Sequence, residues 1–282
     1  MDGNGPSEKN DVLDYYAAGI EDQRLQTGIG KIEFERTKDI LRRYLPHPPA
    51  VIYDIGGGVG VYSFWLAQQG YTVHLFDLSR ENVGKACSAH GNPDTPRLAS
   101  IQVADARCID HSAETADVVL LMGPLYHLQE HEERVKALVE AKRLLKQKGL
   151  LVAAGITRFG NMLDGLATCG QSKWLDEPEF IAMIEREIRE GQHICPEKFP
   201  EFFTRAYFHL PEGLRSEVLE AGFEWVEVLA VEGPGWLPPQ FEEYWSDEER
   251  RALILKIVRM VEKEPSILGL SPHFLALAQK PA

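Results

Sequence analysis

Cysteine is scarce in this 282-residue sequence, and Cys87, Cys108, Cys169 and Cys195 are scattered with no Cys-x-x-Cys pair. That excludes a small disulfide-built scaffold and offers no zinc-like spacing, so a reducing cytoplasm is the expected setting and no metal is expected. Positive charge is also in deficit, with 30 Lys and Arg against 43 Asp and Glu for a net charge of -13. Affinity for a phosphate backbone comes largely from cations that displace counterions, so no nucleic-acid partner is expected. No stretch approaches the roughly 20 apolar residues that span a bilayer, and Met1 to Asn10 is polar without an apolar signal core, so no membrane partner is expected either. Internal repeats and low-complexity linkers are lacking, and nothing speaks to the oligomeric state.

What is present is a chain that is 44% hydrophobic, enough to bury a substantial core. Val12 to Tyr44 mixes charged and apolar residues at helical spacing around the turn-prone Thr27-Gly28-Ile29-Gly30, which predicts two helices about a glycine hinge. After Pro46 to Pro49, the apolar run Ala50 to Ile55 reads as a buried strand ending in a glycine turn. Val61 to Gln69 has helical length, Gly70 closes it, and Tyr71 to Asp77 is rich in β-formers. The alternation continues with a helix near Glu81 to Ala89, strands at Leu98 to Val103 and Asp117 to Leu121, an amphipathic helix from Glu132 to Leu145, and a strand at Leu150 to Ala154.

From Thr157 to Thr204 helices and loops replace this rhythm, notably Glu179 to Glu190, and predict a cap beside the sheet. Leu214 to Ala221 then reads as a helix, Phe223 to Val228 as a half-exposed strand, Asp247 to Lys263 as a charged helix and His273 to Ala278 as a final strand. The expected fold is a doubly wound, mostly parallel α/β sheet whose last two strands pair antiparallel at one edge. The expected division is an N-terminal helical lid over 1–45, an α/β core over 46–157, a helical cap over 158–209 and a C-terminal completion of the core over 210–282.

The turn Asp54-Ile55-Gly56-Gly57-Gly58-Val59-Gly60 joins a strand to a helix. Glycines there let a ligand approach the backbone, and the helix start offers unpaired N–H groups. Alone, such a string also fits a tight structural turn. Asp77 ends the next strand, where a carboxylate can accept both ribose hydroxyls of an adenosine, and Asp105 follows the third strand, where it can accept from an adenine amino group. Alone, an Asp at a strand end is more often a helix cap or a solvated loop residue. Their joint occurrence at three successive strand ends is what ligands of open α/β sheets require.

These residues resemble the class I S-adenosylmethionine-dependent methyltransferases, with a Rossmann-like seven-stranded sheet. Leu121-Met122-Gly123-Pro124-Leu125-Tyr126-His127-Leu128 and the closing strand pair extend the likeness. The segments Tyr15-Tyr16, Glu21 to Leu25 and Val231-Glu232-Gly233-Pro234-Gly235-Trp236 are similar to a bacterial subgroup acting on varied small molecules. The resemblance implies S-adenosylmethionine as methyl donor, S-adenosylhomocysteine as product, and a small-molecule acceptor. It places the backbone of Gly56, Gly57, Gly58 and Gly60 against the methionine portion, Leu78 on adenine, the Ala106 N–H at the ring, and Met122 and Gly123 beside the sulfonium and amino group. Tyr15 and Tyr16 would cover the cofactor, a role cation–π attraction to a sulfonium favours. Arg24 would pair the methionine carboxylate or form a surface salt bridge.

Methyl transfer is an in-line displacement, so the protein chiefly aligns the acceptor and excludes water. Where the acceptor must lose a proton, Tyr126 or His127 is a candidate base, against the reading of His127 as a structural anchor and Tyr126 as a pocket wall. Phe34, Arg158, Phe159, Tyr207 and Trp236 are candidates for the acceptor pocket, and Glu33 for an amine contact or a solvated helix face. A nicotinamide-dependent oxidoreductase also uses a glycine turn and a ribose acid, although the Gly-x-Gly-x-Gly spacing and Asp105 disfavour it. A non-catalytic protein that binds the same cofactor is the other rival.

Overall fold

The computed structural model describes residues 24–169, 172–199 and 202–282. Tyr15, Tyr16 and most of the first expected helix lie outside them. The described chain runs α1 (Gly30–Tyr44), β1 (Val51–Ile55), α2 (Val61–Gln68), β2 (Thr72–Asp77), α3 (Arg80–His90), β3 (Ser100–Val103), β4 (Ala116–Leu121), α4 (Pro124–His127), α5 (His131–Leu144) and β5 (Leu145–Ile156). It continues with α6 (Gly160–Thr168), α7 (Pro178–Glu190), β6 (Gln192–His193), β7 (Ala206–Tyr207), α8 (Pro211–Glu220), β8 (Glu224–Ala230), α9 (Phe241–Ser246), α10 (Glu248–Val261), α11 (Pro265–Leu268) and β9 (His273–Gln279). No helix among the described residues is long and apolar enough to cross a membrane.

Seven strands form one sheet in the order β3-β2-β1-β4-β5-β9-β8. β1 to β5 pair in parallel, and β9 runs antiparallel between β5 and β8. The sheet is the doubly wound, Rossmann-like architecture expected, and its antiparallel pairings lie at the β8 side. Along β1 and β4 successive side chains serve opposite faces. Tyr53, Ile55, Val119 and Leu121 meet Leu138 and Leu144 of α5 and Val218 of α8, whereas Ile52, Val118 and Leu120 meet Ile40 and Leu41 of α1 and Leu66 of α2. Burial on both faces explains why these strands read as unbroken apolar runs.

The cap is less regular than its sequence suggests, because β6 and β7 form a two-residue ladder too short to leave an alternating signal. Its helices gather on an aromatic cluster in which Phe180 stacks near Trp174, Phe199 and Phe202.

Two buried ion clusters fasten the outer elements. Arg36 on α1 is 1% exposed and binds Glu262, Asp39 and the Val231 carbonyl, while Arg43 forks onto Glu262 at 2.6 and 2.7 Å. That ties α1 to the end of α10 and to the chain beyond β8. On the other face Arg134 of α5 binds Glu217 of α8 through Nε and Nη2, donates to the carbonyls of Leu128 and Gln129, and lies 3.5 Å from the Tyr207 ring centroid. Burial pushes the Glu217 carboxyl up, but the hydrogen bonds from His209 and Arg134 outweigh it, and its pKa falls from 4.5 to about 2. A depressed carboxylate stabilises the fold fully above its unfolded value and loses that contribution as pH falls through the folded value. Glu217→Gln, which also leaves Arg134 buried without its counter-charge, is expected to cost about 3 kcal/mol at pH 7. The deficit relative to wild type should shrink between pH 4.5 and 2, and urea unfolding across that range measures it.

Candidate active site

Reading across the sheet, strand order reverses between β1 and β4, and the turns that leave these two strands touch. A Cβ on Gly123 would lie 2.8 Å from the Gly56 carbonyl oxygen, and one on Gly56 would lie 2.5 Å from Pro124 Cδ. Gly56, Gly58 and Gly60 have φ of +75°, +59° and +87°, backbone that a side chain strains. A Cβ on Gly57 would lie 2.5 Å from Asp54 Oδ2. The turn is therefore glycine-built for both conformation and space.

Two carboxylates support it. Asp54, buried, accepts a hydrogen bond from the Ser63 hydroxyl at 2.7 Å, and burial, with the nearby Asp77, carries its pKa up to about 6. Asp77, at the end of β2, accepts the Gly58 N–H at 2.8 Å on one oxygen and the Ser79 N–H at 2.8 Å on the other. Burial raises its carboxyl despite these bonds.

A cavity of about 140 Å³ runs along the turn, lined by Asp54, Gly56, Gly57, Gly58, Asn82 and Met122, and reaches Arg24, Glu33, Tyr62, Tyr126 and His273. A second, of about 290 Å³, lies under the cap, with Ile29, Ile156, Leu163, Phe203, Phe208 and Trp236 as its apolar wall. Arg24, Tyr126 and His273 line both. Asn161 of the second cavity is held by the buried Glu187 at 2.8 Å.

Between the cavities sits a charge cluster drawn from distant segments. Arg24 forks onto Glu33, with Nη2 to Oε1 at 2.8 Å. His273 Nδ1 lies 3.6 Å from Glu33 and 2.6 Å from Glu232 Oε1. The other Glu232 oxygen accepts from the Ser271 hydroxyl at 2.9 Å and the His273 backbone N–H at 2.8 Å. Burial pushes the Glu33 carboxyl up, but Arg24 and His273 bring it below the usual range. Burial pushes His273 down, but Glu33 and Glu232 raise it above an ordinary histidine. Ligand atoms of Glu33, Glu232 and His273 fall within 4.8 Å of one another, the compass of a metal site, yet Glu33 is already engaged by Arg24 and Glu232 by His273 Nδ1.

Of the residues singled out in the sequence, the first cavity brings together Arg24, Asp54, Gly56, Gly57, Gly58, Met122 and Tyr126, and Trp236 joins the second. Arg24 forms an ion pair with Glu33 at the cavity wall. Glu33 is correspondingly a wall residue rather than a solvated helix position. Leu78 is 43% exposed beyond the turn, and Asp105 is gripped by Arg107, which also binds Glu133. Ala106 packs against the sheet core. Phe34 stands behind Tyr62 at 5.8 Å. Arg158 donates to the Tyr207 hydroxyl and the Phe208 carbonyl, placing both residues on the Arg134 side of the cap, and Phe159 meets Gly269. Tyr126 donates its hydroxyl to the Met122 carbonyl at 3.0 Å. His127 packs edge-on against Tyr126, and burial lowers its pKa to about 4. His273 and Glu232 were missed as site residues. Their signals were slight: a polar residue heading the apolar run His273-Phe274-Leu275-Ala276, and a carboxylate just past β8.

Residues 53–153 match a family model described as a methyltransferase domain. No curated protein matches the chain significantly in sequence. Among solved structures, the chain is similar to a methyltransferase dependent on S-adenosylmethionine from Methanosarcina mazei, at 20% identity and TM-score 0.56, over 86% of this chain and 97% of that one. It is similar to a protein described as a putative methyltransferase, solved in complex with the Haloferax volcanii Trm112 methyltransferase activator, at 18% identity and TM-score 0.58, over 96% and 97% of the two chains. A Thermotoga maritima protein described as a possible histamine N-methyltransferase aligns at 15% identity and TM-score 0.56, over 95% and 98%. Likeness at such identities is likeness of fold. The chain thus carries a segment matching a methyltransferase domain, set within the fold of the S-adenosylmethionine-dependent methyltransferases.

Proposed function

We propose that this protein transfers a methyl group from S-adenosylmethionine to a small-molecule acceptor. The observation that carries the reading is the pair of cavities meeting at Arg24, Tyr126 and His273, one floored by the glycine turn and the other walled by apolar side chains of the cap. The donor's fit rests on the cradle itself, since Cβ atoms at Gly56 and Gly57 would collide with the protein and Gly58 is open above. Gly56 to Gly60, Asp54, Asn82 and Met122 would hold the methionine and ribose portions. Asp77 fixes the turn and stands at the ribose position, with Leu78, Ala106 and Asp105 toward adenine. Arg107 on Asp105 leaves that carboxylate less free to accept from the ring. When bound, the donor supplies an electrophilic methyl on a cationic sulfur.

The chain's own residues position and enclose the acceptor. Tyr126, anchored through Met122, forms the wall common to both cavities, and His127 buttresses it. His127, whose pKa burial lowers to about 4, is a weak base with little affinity for a further proton, and the Tyr126 hydroxyl is committed as a donor, so scaffolding is the stronger role for both.

Isothermal titration should show micromolar binding of S-adenosylhomocysteine and none of NAD, and the opposite result would install the oxidoreductase reading. Asp77→Ala should weaken S-adenosylhomocysteine by about 1 to 3 kcal/mol, through lost ribose contacts and a loosened turn. Because Asp54 ionises near pH 6 and faces a ligand with an ammonium group, affinity should rise several-fold from pH 5 to 7 as the carboxylate forms. Titrations on Asp54→Asn at both pH values should lack that part of the rise.

A further inference from the structure

His273 is the one histidine that lines both cavities. The sheet explains its position. Because β9 is reversed, its first residue lies beside Ile156 at the end of β5, on the same edge where β1 and β4 release the glycine turns. β8 runs opposite to β9, so the chain just beyond its end, at Glu232, arrives at that edge too. The two side chains form a dyad in which Nδ1–H donates to Glu232 Oε1 at 2.6 Å, and Glu232 is itself fixed by the Ser271 hydroxyl and the His273 backbone N–H. Among the described residues Nε2 has no hydrogen-bond partner, and it is not sealed from the cavities. A carboxylate on Nδ1 sets the tautomer that leaves Nε2 as an acceptor and stabilises the imidazolium once a proton arrives.

We infer that His273, oriented by Glu232, takes the proton from the acceptor's attacking heteroatom, and that the acceptor is therefore a largely apolar molecule presenting a hydroxyl or N–H at the junction of the two cavities. This rests on the methyl-transfer reading. In the step, a lone pair of the acceptor oxygen or nitrogen forms the bond to the methyl carbon, the carbon–sulfur bond breaks with its electron pair on sulfur, and the acceptor's proton passes to Nε2. Solvent takes that proton after product leaves. The groups facing His273 are Glu33 from α1, Arg24 before it and Glu232 beyond β8. Glu33 and Glu232 make its imidazole a stronger base than a free one, Arg24 opposes them, and Arg24 is itself neutralised by Glu33. The apolar wall of Ile156, Leu163, Phe203, Phe208 and Trp236 accounts for the rest of the acceptor.

The test has two arms on the full chain with S-adenosylhomocysteine affinity measured throughout. In the first, NMR titration follows the His273 imidazole, assigned by its loss in His273→Gln. It should titrate above the ordinary histidine value, and Glu232→Gln should lower that value by roughly one to two pH units. A His273 pKa unmoved by Glu232→Gln overturns the dyad. In the second, labelled methyl transfer is measured to 4-nitrocatechol and histamine as protic probes. His273→Gln should lower kcat on a methylated probe about 100-fold or more, with S-adenosylhomocysteine affinity within about threefold, and Glu232→Gln should displace the acid limb of the kcat profile to lower pH. Undiminished transfer by His273→Gln overturns the assignment. Failure of wild type to bind S-adenosylhomocysteine would instead remove the underlying donor reading, and the titration would still decide the dyad.

Discussion

The reversal of β9 is the constraint on which the site depends. In a wholly parallel sheet each strand begins at the edge remote from the ligand, so a residue heading a strand has no part in the chemistry. Here the final strand enters between β5 and β8 from the opposite direction, and its first residue is delivered to the edge where the glycine turns lie. Hydrogen bonding on both sides of β9 then fixes that residue's height and direction. The ion cluster of Arg36, Arg43 and Glu262 performs the matching service for α1, holding it against the chain beyond β8 so that Glu33 faces His273.

Much of the sheet was legible because its strands are buried on both faces and its helices carry ordinary stop signals. The glycine turn was legible for a local reason, since positive φ and close contact with Pro124 demand the same residue type that sequence displays. The cluster at the cavity junction was not. Its members come from positions 24, 33, 232 and 273, and no spacing in a linear sequence relates them. Only the strand order and the direction of β9 bring them together. Glu33 sat in a run of charged residues whose periodicity resembled a solvated face, and its burial is a tertiary outcome.

The cap teaches a complementary lesson. Arg158 and Tyr207 are polar and aromatic residues beside an expected pocket, yet both are engaged on the Arg134 side of the cap. Residue type alone does not distinguish a pocket lining from a strut, because a guanidinium over an aromatic ring serves either purpose. Their neighbour Phe208 stacks on the buried His193 and reaches the second cavity. Such adjacency shows how a short ladder converts one residue's offset into a different role.

The polar groups at the junction have a consequence for how the protein meets its ligands. The whole chain carries -13, so its outer field draws cations toward the surface over distances of about a Debye length. Inside, Arg24 closes on Glu33, and Glu232 is taken up by hydrogen bonds from the Ser271 hydroxyl, the His273 backbone N–H and the His273 ring, so these groups act on one another at contact distances that dissolved ions screen little. The field that recruits is therefore separated from the contacts that receive. Ionic strength should govern the rate of arrival, while residence in the chamber is set by shape and directed hydrogen bonds that salt scarcely reaches.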